Sequence, residues 1–146
     1  MVSTFPTNGV RLMHLLVVSD YDRALAFYRD VLGATVAREM PGTLAFLDFA
    51  GGQLILSVPG GPTPDKPTVT FAPPAASDTV SSEVTIRTPD CQAAYEALRE
   101  RGAVFLTPPV EYPWEIRAFF QDPDGHLIEI SQGGEYAPHL QGDAAR

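Results

Sequence analysis

A single cysteine, Cys91, stands in the 146 residues, so no disulfide can form within the chain. That scarcity fits a reducing compartment, and a cytoplasmic location is the expectation. No apolar run approaches the ~20 residues that span a bilayer, and the N-terminus lacks the basic-then-apolar pattern of a secretion signal. Neither membrane association nor export is therefore expected. Basic residues are also few. Ten Lys and Arg stand against 18 Asp and Glu, a formal charge of −8, with no basic cluster. Such a chain repels a phosphate backbone, which argues against nucleic acid as a partner. An acidic surface can attract cationic ligands or metals, and it also keeps a protein in solution. Also missing are a Walker loop, a dinucleotide glycine fingerprint, a Cys/His zinc cluster and a Gly-x-Ser-x-Gly elbow.

What is present is enough apolar material for one packed domain: 45% hydrophobic and 19% charged residues. Residues 1–10 and 134–146 read as loose ends. Between them lie two similar halves, 11–58 and 81–133, joined by a Pro/Gly-rich stretch over 59–80 in which Thr68–Phe71 could form a short strand. The first half opens with a strand over Leu12–Val18. Asp20 is a suitable N-cap for a helix reaching Leu32, and Gly33 stops it. Strands follow over Thr35–Arg38, Leu44–Phe49 and Gln53–Val58. The second half repeats this order: a strand over Glu83–Thr88, a helix from the cap Asp90 to Arg101, then strands over Val104–Leu106, Ile116–Phe120 and Leu127–Ser131. Asp20 matches Asp90 at an offset of 70, and Leu54-Ile55 matches Leu127-Ile128 at 73. The internal repeat predicts an α+β fold of two tandem βαβββ modules. One helix covers only one face of a four-stranded sheet, so two cupped mixed sheets would enclose a ligand cavity.

Two stretches carry a family resemblance. VSDYDRALAFYRDVLG, from Val18 to Gly33, and DPDGHLIE, from Asp122 to Glu129, resemble the helix signature and the terminal strand of vicinal-oxygen-chelate proteins. That superfamily holds glyoxalase I, bleomycin-resistance proteins and extradiol dioxygenases. The resemblance covers roughly residues 11–132. It implies a divalent cation (nickel, cobalt, zinc, manganese or iron) held by residues on the first and last strand of each repeat, acting as a Lewis acid on two vicinal substrate oxygens.

Carried over position by position, Glu129 and Glu83 match the two ligand places of the second repeat and are the candidate catalytic carboxylates. In the first repeat Leu56 matches Glu129 and Met13 matches Glu83, so neither is a ligand and both are expected to line the cavity. His14, one residue beyond Met13, would complete a metal set with Glu83 and Glu129 if a bulge turned it inward; otherwise it faces the helix layer. Two close carboxylates need a shared proton or a cation between them, and Arg117 could supply the charge in place of a metal. Trp114, Tyr112 and Phe119 could stack on a planar ligand or simply pack. His126 and His139 fall in a turn and a tail. Cys91 sits at a helix start, where the dipole can lower a thiol pKa, although packing is the commoner role. Two functions remain open: a metal-dependent lyase, isomerase or dioxygenase, and a metal-free protein that sequesters a small molecule. A homodimer is expected, since each cupped sheet leaves a face and an edge to cover.

Overall fold

The computed structural model describes residues 4–140. Eight strands form two four-stranded sheets. Sheet 1 contains β1 (Met13–Val17), β2 (Thr35–Met40), β3 (Leu44–Phe49) and β4 (Gly52–Ser57), in the order β1-β4-β3-β2. Sheet 2 contains β5 (Glu83–Arg87), β6 (Val110–Glu111), β7 (Glu115–Gln121) and β8 (Leu127–Gly133), in the order β5-β8-β7-β6. In each sheet the first strand runs parallel to the last, and the other pairs are antiparallel. The helix α1 (Tyr21–Ala26) follows β1, and α2 (Cys91–Glu100) follows β5.

The same cap opens both helices. The amide of Arg23 donates to Asp20 Oδ1, and that of Ala93 to Asp90 Oδ1, each at 3.0 Å. One backbone amide otherwise left without a partner is thereby satisfied at each end. The first helix departs from the expected single α-helix, continuing as a π-helix over Phe27–Leu32. Gly33 ends it at φ 94°, a conformation open to glycine at little cost.

Alternation along the strands decides which face is buried. Leu16, Ala45, Leu47, Leu54 and Leu56 of sheet 1 join Ala118, Phe120, Ile128 and Ile130 of sheet 2 in one cluster with Tyr28, Leu32, Tyr95 and Leu98. Burying each large aliphatic side chain contributes roughly 1.5–3 kcal/mol. Both sheets thus turn their helix-covered faces toward a common core, and their other faces point outward. Contacts between the halves lock this arrangement. The Phe27 and Phe120 rings lie 6.2 Å apart. Tyr28 Oη donates to Asp122 Oδ2 at 2.7 Å. His126 Nε2 lies 2.7 Å from the Val17 carbonyl oxygen, which gives this turn histidine a structural role.

Three expectations are corrected. Val104–Leu106 is not a strand; Phe105 makes only an isolated bridge to Phe120, and the edge position belongs to Val110–Glu111. Thr68–Phe71 likewise reduces to a single bridge between Phe71 and Gly60. The C-terminal stretch is docked rather than loose as far as residue 140, because Ala137 and Leu140 are buried. Residues 4–10 are exposed, and 1–3 and 141–146 lie outside the described residues. Among the described residues no helix is long and apolar enough to cross a membrane.

Candidate functional site

The outward face of sheet 2 gathers most of the candidate residues. In strand register, Glu83 lies beside Leu127, Thr85 beside Glu129, and Arg87 beside Ser131. From the other side Gln121 meets Leu127, Phe119 meets Glu129, and Arg117 meets Ser131. Neighbouring strands are about 4.8 Å apart and alternate residues about 7 Å apart, so these rows form a compact grid.

Glu129 is 7% exposed, although its backbone lies between the core residues Ile128 and Ile130. Its carboxyl is pushed up to about 7, first by burial, then by the hydrogen bond and charge it shares with Glu83. The Ser131 hydroxyl opposes this slightly, and the Glu115 charge adds to it. Thr85 Oγ1 donates to Glu83 Oε1 at 2.8 Å, which orients the exposed partner. Glu129 therefore keeps its proton up to near neutral pH.

Arg117 does not supply the compensating charge. It turns to Glu115, at 3.1 Å, and Arg87 reaches the same buried carboxylate at 3.3 Å. The Arg117 guanidinium also lies 4.6 Å from the Tyr112 ring centre and 5.5 Å from that of Phe119. Tyr112 in turn stacks on Trp114, with centres 5.3 Å apart and planes 21° from parallel. Trp114 Nε1 and Ser131 Oγ are both buried without a well-formed hydrogen bond. Glu115 and Ser131, both buried here, had no distinguishing mark in the sequence beyond their alternation with core residues.

His14 lies elsewhere. β1 pairs with β4 without a break from Met13↔Gln53 to Val17↔Ser57, so no bulge turns His14 outward. It shares the parity of Leu16 on the helix-covered side and is solvent-exposed. The expected set of His14, Glu83 and Glu129 does not form. Among the described residues no three His, Cys, Asp or Glu side chains gather in a group that could hold a metal ion.

Leu56 needs a second correction. It is fully buried in the core, and Ile55, which pairs with Leu15 as Glu129 pairs with Thr85, takes the equivalent place. The first-repeat positions are therefore Met13 and Ile55, both without a donor suited to the oxygen- and nitrogen-seeking cations expected here. Two carboxyls from one module do not fit a resident cation of the His/Glu kind, which needs three or more protein donors. Cys91 is buried, and burial pushes its thiol up to about 11, opposite to the shift a reactive cysteine needs. His139 pairs with Glu111 at 3.2 Å on the surface.

Comparisons with known proteins agree with this architecture. Residues 11–130 match the Glyoxalase/Bleomycin resistance protein/Dioxygenase superfamily model. A lactoylglutathione lyase of Haemophilus influenzae is 30% identical over 132 residues, covering 83% of this chain and 91% of the relative. The crystal structure of a glyoxalase/bleomycin resistance protein/dioxygenase from Nocardioides superposes with a TM-score of 0.66 and 29% identity, covering 87% of this chain and 85% of that one. That of TnmS3, an antibiotic binding protein from Streptomyces, superposes at 0.64 with 25% identity, over 89% and 99%. Taken with the two βαβββ sheets, these matches place the chain in the Glyoxalase/Bleomycin resistance protein/Dioxygenase superfamily.

Proposed function

We propose that this chain binds an aromatic small molecule on the outward face of sheet 2 without a resident metal ion, using Glu83 and Glu129 as a proton-sharing, hydrogen-bonding pair. The observation that carries the reading is the composition of the four ligand places: Met13 and Ile55 in one module, two hydrogen-bonded carboxyls in the other. Tyr112, Trp114 and Phe119 supply flat apolar surface beside them. The antibiotic-binding structure of the same fold supports a binding role. A second copy supplies the opposite wall in this proposal, because the outward face of sheet 1 carries the half-buried apolar residues Met13, Leu15, Val17, Phe46 and Ile55.

A second reading, a lyase or isomerase, is favoured by the carboxyl held near 7 and by the relative named lactoylglutathione lyase. Near neutral pH Glu129 exists in both forms, as a group that accepts and returns a proton must.

Trp114 is the sole tryptophan, so its fluorescence reports on this face. Titration with 2-naphthol in the presence of EDTA should give saturable quenching, weakened at least tenfold by Tyr112→Ala. Quenching that appears only after nickel or zinc is added contradicts the metal-free reading. Chemical turnover of a bound compound in EDTA would select the second reading over pure binding.

A further inference from the structure

At one end of sheet 1 the apolar outward face gives way to polar residues. Register places Met13, Gln53, Asp48 and Thr35 side by side on β1, β4, β3 and β2, about 4.8 Å apart. Around this row and the β3–β4 turn opens a cavity of about 810 Å³, lined by Arg11, Leu12, Thr35, Asp48, Phe49 and Gln53 among others. Small-molecule sites have volumes of roughly 300–1,000 Å³. No residue of sheet 2 lines it. Two opposite charges face this cavity without meeting. Among the described residues the Arg11 side chain has no hydrogen bond, ion pair or ring contact, whereas every other described Lys or Arg has at least one. The exposed Asp48 accepts one hydrogen bond, from Gln53 Nε2 to its Oδ1 at 2.8 Å. That bond fixes the carboxylate across the β3–β4 pair and leaves Oδ2 open.

We infer that this cavity is a binding site for an amino acid with an apolar side chain, its carboxylate on Arg11 and its ammonium on Asp48. A simple anion is drawn by Arg11 but opposed by Asp48 and by the net charge of −8. A simple cation is drawn by Asp48 but opposed by Arg11. Only a molecule carrying both signs is favoured at both ends. The free guanidinium presents paired N–H donors that match a carboxylate. The Thr35 hydroxyl, beside Asp48 in the row, is a second acceptor for the ammonium. The strands that carry Met13 and Asp48 lie two spacings apart, about 10 Å, a gap that a long arginine and one small ligand bridge together. Leu12, 94% exposed, and the half-buried Phe49 give the ligand's side chain an apolar wall. This site is separate from the proposed face of sheet 2 and does not depend on it.

The test compares L-phenylalanine with two analogues that each lack one charge: 3-phenylpropionate has no ammonium, and phenethylammonium has no carboxylate. Binding of all three is measured by calorimetry at neutral pH. The amino acid should bind roughly fivefold more tightly than either analogue, the scale of one exposed ion pair. Arg11→Gln should remove its advantage over phenethylammonium, and Asp48→Asn its advantage over 3-phenylpropionate. Both side chains are exposed, so thermal unfolding of each variant should stay close to that of the parent. An analogue that binds as tightly as the amino acid overturns the ligand class. An advantage that survives both substitutions overturns the assignment to this cavity. Absence of saturable binding by phenylalanine overturns the inference and leaves the face of sheet 2 standing. The wild-type comparison decides the ligand class even if a variant fails to fold.

Discussion

At the scale of single residues, Glu129 carries an electrostatic consequence that falls within the working pH range. An unfolded glutamate titrates near 4.3, whereas burial and Glu83 hold this one up at about 7. Between those values the folded chain keeps a proton that the unfolded chain has released. Stability therefore falls as pH rises through the window, and the loss is complete above it. The full shift corresponds to roughly 3 kcal/mol. Glutamine keeps the shape and a donor for Glu83 without the charge. Glu129→Gln should thus stabilise the fold by about 1–3 kcal/mol at pH 8 and by almost nothing at pH 4. Thermal unfolding at the two pH values measures this, and a variant less stable than the parent at pH 8 would contradict it.

At the scale of elements, much was legible in the sequence. Asp20 and Asp90 mark both helix starts because a capping carboxylate is a local requirement, met within three residues. The parallel first-to-last pairing follows from the repeat. The ligand place opposite Glu129 was not legible, because matching Leu54-Ile55 to Leu127-Ile128 slips the last strands by one residue. The structural offset is 74, set by turns of different length: Ala50-Gly51 against Asp122–His126. A slip of one exchanges the faces, which put Leu56 where Ile55 belongs. The facing of His14 is not legible in sequence either, since a bulge leaves no mark there. β1 also offers a test at this scale. Leu15 is half-buried and points outward from the middle of β1, an edge strand of sheet 1. A buried glutamate there is costly. Leu15→Glu should convert a dimer into monomers of 15.8 kDa without unfolding them. Light scattering at micromolar concentration checks both species, and a monomeric parent protein would refute the shared wall.

At the scale of the whole molecule, the two modules have divided their chemistry. Module 1 presents an apolar outward face with Met13 and Ile55 at the places equivalent to Glu83 and Glu129; module 2 presents acids, arginines and aromatic rings. A cavity built from one face of each kind has an oily wall and a polar wall, suited to a flat molecule with oxygen functions along one edge. Pairing through a two-fold axis does not restore the His/Glu metal set, because the parity of His14 is fixed within its own sheet and the partner presents the same apolar face. On the proposed reading this face works without a resident cation. Calorimetric titration of the purified protein with nickel and zinc tests it most directly, run beside Glu129→Gln. No stoichiometric site that depends on Glu129 should be tighter than about 1 μM, a free energy near 8 kcal/mol. One ion bound per chain with that affinity, and lost on Glu129→Gln, would contradict it.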